Sequence, residues 1–209
     1  MYQAVVFDVD GTTVDTHFLV DAISETLYEM RGRRLNDQEK IEIYGLTSQD
    51  ILRFLNIEPE EEEGFFHWFE FYADKFINRQ KLFDGVLDTF KQLKENGIIV
   101  GINTSRTHNE VRQVADTLEE DFTRYCDYEI TSDLVSSPKP APDSLQLFSR
   151  RSGIPMENIL FVGDSLFDSG CASNAGCDFV LATWGTSHHL PAQYYPDHPS
   201  EIVDIVANS

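Results

Sequence analysis

Apolar and polar positions change rhythm along this chain. Residues 3–8, QAVVFD, begin with a short unbroken apolar run that predicts a buried strand. From about 16 to 80 the spacing turns helical. FLVDAISETLYEM, NDQEKIEIYGL and SQDILRFLNI each predict a helix, and EPEEEEGFFHWFEFYADKFI predicts a longer one. Pro59 and the acids Glu60 to Glu63 suit that helix's start, where the dipole favours negative charge. From 82 onward helix and strand alternate. GVLDTFKQLKENG places Val86, Phe90 and Leu93 on one helical face and stops at Gly97. The segments IIVGIN (98–103), YEI, NILFVGD (158–164) and DFVLAT (178–183) predict strands; NEVRQVADTLEEDF and PDSLQLFSRRSG predict helices. Such alternation implies a parallel sheet with helices on both faces. The first strand belongs with the later ones. The expectation is therefore an α/β, Rossmann-like core of residues 1–15 and 82–209, interrupted by an inserted helical domain over 16–81.

Composition narrows the partners. Of 209 residues, 41% are hydrophobic, enough for a real core, and this composition argues against disorder. Asp and Glu number 36 against 16 Lys and Arg, a net charge of -20, which argues against nucleic acid and anionic membranes as partners. An anionic small molecule would need local positive charge from a metal or a few basic residues. Cys126, Cys171 and Cys177 form no CxxC pair, so reduced thiols in a cytoplasmic protein are expected rather than a zinc site or disulfide framework. No apolar run approaches ~18 residues, and the first residues read as a strand rather than a signal peptide.

Candidate chemistry gathers where strands end. In open α/β sheets ligands collect at the carboxyl ends. The first strand ends at Asp8, followed by Asp10 and Gly11; the second runs into NTSR, Asn103 to Arg106; the fourth runs into GDSLFD, Asp164 to Asp168. Lys139, in SSPKPAPD, precedes the helix before the fourth strand. Alternation turns Val9 away from the site and returns Asp10 to it, and Gly11 permits a tight turn. Carboxylates, a hydroxyl and an ammonium at one rim suit phosphoryl transfer. Carboxylate oxygens suit Mg²⁺, an Asp can be phosphorylated, a second can move protons, and a lysine neutralises charge.

DVDGTT, NTS, PKPAPD and GDSLFD, in this order and strand context, resemble the haloacid dehalogenase superfamily. The likeness is greatest to its branch of phosphoglycolate phosphatases and β-phosphoglucomutases, where a helical cap follows the first motif. It spans nearly the whole chain, strongly in the core and weakly in the cap. The resemblance implies that Asp8 is nucleophile and metal ligand. Asp10 would be the general acid and base, with its carbonyl on the metal. Thr104, with the Ser105 backbone, would bind the phosphoryl group. Lys139 would balance charge, Asp164 would ligate the metal, and Asp168 would support the metal or Lys139 from behind. Arg106 would touch substrate. The cofactor implied is Mg²⁺, and the reaction is hydrolysis of a small phosphomonoester.

The branch leaves alternatives. The dehalogenases lack the second Asp, which is Asp10 here. The mutases carry a cap-hinge His at the position of Val20, with His17 the nearest in this chain. Many relatives place a substrate-gripping Arg where this chain has Thr47, Ser48 and Gln49, with Arg53 further on. A non-catalytic phosphate binder on the same fold is the reading from another class. No GxxxxGK[ST] loop supports a nucleotide kinase. The aromatic stripe Phe65, Phe66, Trp68, Phe69, Phe71, Tyr72 and Phe76 is expected to pack the inserted domain. Adjacent His188 and His189 point apart and lack a third ligand, so a surface loop is expected there.

Overall fold

A computed structural model describes residues 1–44 and 46–209. Gly45, inside the helical stretch read over 36–46, lies outside the described residues. The chain divides into two compact units, Met1–Asp15 with Leu82–Ser209, and Thr16–Lys81.

The first unit is built on five parallel strands: β1 (Ala4–Phe7), β2 (Ile99–Asn103), β3 (Tyr128–Ile130), β4 (Ile159–Gly163) and β5 (Asp178–Leu181). Their order across the sheet is β3-β2-β1-β4-β5. The parallel sheet and helical insertion match the Rossmann-like expectation. β1 is central and pairs on both sides in matched register, Phe7 lying opposite Ile102 of β2 and Val162 of β4. Its side chains alternate between two cores. Val5 and Phe7 join Phe90, Leu93 and Ile102 on one face, while Ala4 and Val6 join Phe148, Phe161 and Phe179 on the other. Val9 is fully buried in the first core.

Among the described residues the second unit holds four α-helices: α1 (Phe18–Arg31), α2 (Asp37–Ile43), α3 (Ser48–Phe54) and α4 (Glu62–Phe76). Val20, Ile23, Leu27, Leu52, Leu55 and Phe65 form its core. The aromatic stripe splits. Phe65 and Tyr72 are buried, but Phe71 is 51% exposed. The seven residues span more than one helical face, so they cannot all turn inward. Asn36 and Glu39 form a reciprocal capping box at the start of α2.

Five helices follow in the first unit: α5 (Val86–Glu95), α6 (His108–Thr117), α7 (Asp143–Ser152), α8 (Leu166–Ala175) and α9 (Glu201–Ala207). α6 is shorter than its apolar spacing predicts, because Leu118 adopts extended backbone and a 3₁₀ turn takes over at Phe122–Tyr125. No helix of the described residues is long and apolar enough to cross a membrane.

Candidate active site

Sheet order brings the motifs together. β1 lies between β2 and β4, so Asp8, the Asn103–Thr104 step and Asp164 emerge side by side at one edge. The Asp8 amide still donates to the carbonyl of Val162, at 2.8 Å. Past it the chain turns back through Gly11, at φ +75°. The Thr13 hydroxyl donates to the Asp8 carbonyl at 2.6 Å and fastens the turn.

Lys139 is the centre of charge. Its Nζ donates to Asp8 Oδ1 at 2.7 Å, to Asp168 Oδ1 at 2.6 Å and to the Asn103 carbonyl at 3.3 Å. Its side chain is only 5% exposed. Desolvation opposes its charge, but the carboxylates of Asp168 and Asp8 hold its pKa above that of a free lysine.

Asp8, Asp164 and Asp168 are all buried. Burial, with the charge of Asp168, pushes the Asp8 carboxyl up to about 7 despite Lys139. Asp164 is likewise raised by burial and by the charges of Asp168 and Asp8. Three buried carboxylates thus stand against one ammonium, which bonds Asp8 and Asp168 but not Asp164, an imbalance that a cation would correct. Oxygens of all three lie within 4.8 Å of one another, so the donor set fits an oxygen-loving divalent ion. Their availability differs. Asp168 Oδ1 is held by Lys139, and Oδ2 accepts from the Ser165 amide at 3.1 Å and from its hydroxyl. Among the described residues Asp164 accepts a single side-chain bond, from the Thr12 hydroxyl at 3.1 Å. Asp8 and Asp164 therefore have oxygen free for an ion, with Asp168 behind them.

Asp10 and Arg106 form a pair of their own. Arg106 Nε donates to Asp10 Oδ2 at 2.7 Å, and Nη2 donates to Oδ1 at 2.6 Å. Both oxygens of Asp10 are taken, and Arg106 faces Asp10 rather than open space. The Arg106 amide donates to the Thr104 hydroxyl at 3.1 Å, which ties the two motifs locally. Thr104 is buried, and Ser105 is exposed beside it.

With this geometry in place, the kinship of the chain is informative. A model of the haloacid dehalogenase-like hydrolases matches residues 5–182. The chain belongs to that family. This hydrolase is 30% identical to phosphoglycolate phosphatase 1 of Pseudomonas aeruginosa, over 97% of this chain and 76% of that protein. It is 25% identical to the N-acetylmuramic acid 6-phosphate phosphatase of the same organism, over 98% and 94% of the two chains. A solved Lactobacillus plantarum structure superposes with TM-score 0.85 at 25% identity, covering 98% of this chain and 99% of that one. A subfamily IA hydrolase from Geobacter sulfurreducens gives 0.76 at 26% identity, covering 98% and 96%. The haloacid dehalogenase-like chain is accordingly an enzyme of the phosphatase type.

Several residues of this hydrolase's site carry weight that sequence reasoning did not assign. Ser165 caps α8 in a reciprocal box with Asp168; the S-x-x-D spacing is a legible cue for it. A Cβ on Gly163 would come within 2.5 Å of the Asp168 Cβ, so only glycine admits Asp168 so close to β4. Trp184 Nε1 donates to the Thr12 carbonyl at 2.9 Å, and a Cβ on Gly185 would lie 1.6 Å from the Gly11 carbonyl. Neither contact across the sheet has a local sequence signature. His188 and His189 lie in the loop after β5, half-buried and exposed respectively.

Proposed function

We propose that this chain is a Mg²⁺-dependent phosphomonoesterase working through an aspartyl-phosphate on Asp8. The observation that carries the reading is Lys139 Nζ at 2.7 Å from Asp8, with buried Asp164 beside them. Asp8, Asp164 and the Asp10 carbonyl would hold Mg²⁺. The ion, when bound, offsets charge on Asp8 and on the phosphoryl oxygens. An Asp8 oxygen attacks phosphorus, and the ester P–O bond breaks. Asp10 gives a proton to the departing oxygen, then takes one from a water. That water attacks phosphorus, releasing phosphate and restoring Asp8. Thr104 and the Ser105 amide hold the phosphoryl oxygens. Lys139 stabilises Asp8 as it changes charge, and Asp168 keeps Lys139 in place. Residues 1–15 and 82–209 serve as catalytic core, and the helical unit Thr16–Lys81 serves as a cap that governs which ester is accepted. Three free thiols suit a reducing, cytoplasmic setting.

The test is p-nitrophenyl phosphate turnover with Mg²⁺. Asp8→Asn is expected to abolish it, since the nucleophile is removed. Turnover that survives Asp8→Asn would end the proposal. No turnover of any phosphate ester would favour a phosphate-binding regulator on the same fold.

A further inference from the structure

Arg106 and Asp10 pose a problem for the reaction just proposed, and the inference below rests on that reading. Asp10 must offer an oxygen to the leaving group and later to water. Both of its oxygens are engaged by Arg106, at 2.6 and 2.7 Å. A bidentate guanidinium–carboxylate fork is among the stronger polar contacts in proteins. The side chains of Arg106 and Asp10 are 23% and 36% exposed, so water reaches the pair and lowers the cost of exchanging its partner. As it stands, the pair blocks the atoms that the chemistry needs.

The other cation at the site cannot relieve it. Lys139 is committed to Asp8, Asp168 and the Asn103 carbonyl. Arg106 is thus the cation of this site that can change partner. It follows directly on Thr104 and Ser105, and its own amide is bonded to the Thr104 hydroxyl. Its fork engages Asp10, the group that in the proposed reaction protonates the leaving oxygen. The surroundings also restrict what can draw it away. In a chain of net charge -20, a neutral leaving group offers Arg106 nothing better than Asp10. A leaving group with its own carboxylate or phosphate does.

We propose that Arg106 is an exchangeable latch: it withholds Asp10 in the free enzyme and releases it when an acidic group on the substrate takes over the guanidinium. Arg106 is then a positioning residue that ties acid–base work to the charge of the leaving group. The preferred substrates are phosphomonoesters whose alcohol half carries a second anionic group near the ester oxygen. Neutral alkyl phosphates leave the latch closed and react slowly.

The experiment compares two esters that differ in one charge, phosphoglycolate and 2-hydroxyethyl phosphate, with Mg²⁺ and the full chain. For the unaltered enzyme, phosphoglycolate is expected to have the higher kcat/KM. In Arg106→Gln, kcat/KM for phosphoglycolate is expected to fall about thirtyfold or more, the usual loss when one partner of a close charge pair is removed. The same variant should raise kcat for 2-hydroxyethyl phosphate, by roughly threefold, because the acid–base group is now free. Opposite movements on the two esters are what a purely structural arginine would not produce. Arg106→Lys guards against loss of folding: it keeps the charge but not the fork. It should retain part of the phosphoglycolate preference while speeding the neutral ester. If both esters slow together in both variants, Arg106 orients Asp10 productively and the latch is wrong. Equal kcat/KM for the two esters in the unaltered enzyme also overturns it. If neither ester nor p-nitrophenyl phosphate is turned over, the hydrolase reading itself fails, a distinguishable result.

Discussion

Two carboxylates compete for one ammonium at Lys139, and the consequences are measurable. Removing that ammonium leaves Asp8 and Asp168 buried without it. Lys139→Met is expected to cost about 3–5 kcal/mol in urea unfolding, as for other broken buried pairs. Turnover should vanish with it. Asp8 has a second consequence, for pH. Its folded pKa, about 7, lies above the ordinary aspartate value of 3.8. Between roughly pH 4 and pH 7 the native state then holds more protons than the unfolded chain. Stability contributed by this group is present at low pH and lost as pH rises through that window. Thermal melts in EDTA should therefore show a falling Tm from pH 5 to pH 7.5. Mg²⁺ should reverse the trend. At a hundredfold excess over its Kd at pH 7.5 it adds about 2.7 kcal/mol, and the same concentration adds less at pH 5, where protons compete for the carboxylates. A Tm that rises with pH in EDTA would contradict the charge assignment.

At the level of elements, the start of α8 decides whether Asp168 reaches Lys139. Ser165 caps the helix and holds Asp168 Oδ2, leaving Oδ1 for the lysine. Ser165→Ala should cost about 1 kcal/mol, an ordinary cap loss, and lower kcat by loosening Lys139. Gly163→Ala should cost about 1–3 kcal/mol, since a methyl group would overlap Asp168; denaturant titration reads both. The strands were legible because their apolar runs are short and bounded by Gly, Asn or Asp. The meeting of Asp8, Asn103, Lys139 and Asp164 followed from motif order and the rule for strand ends. The rest was hidden for physical reasons. The Arg106–Asp10 pair and the Trp184–Thr12 bond join residues 96 and 172 positions apart, and no periodicity records such contacts. α9 is short, and its sequence offers less than three turns of pattern.

For the whole molecule, the insertion leaves the core by one path and returns beside it. The Phe83 amide donates to the Thr13 carbonyl at 3.1 Å, so the two ends of the core meet there. Replacing Thr16–Lys81 with a short Gly/Ser linker should give a core that folds cooperatively by circular dichroism. It should keep Mg²⁺-dependent p-nitrophenyl phosphate hydrolysis but lose discrimination among natural esters. An unfolded product would mean that the helical unit is needed for the core to form. The acidic surface, at net -20, should make binding of anionic esters improve with ionic strength.

The indole of Trp184 touches the turn that follows Asp8 and carries Asp10, the two aspartates proposed to react. The chain has two tryptophans, Trp68 and Trp184, so Trp68→Phe leaves a single emitter on that turn. Its fluorescence spectrum should shift when orthophosphate and Mg²⁺ are added together, giving an optical readout of events at Asp8 without any label.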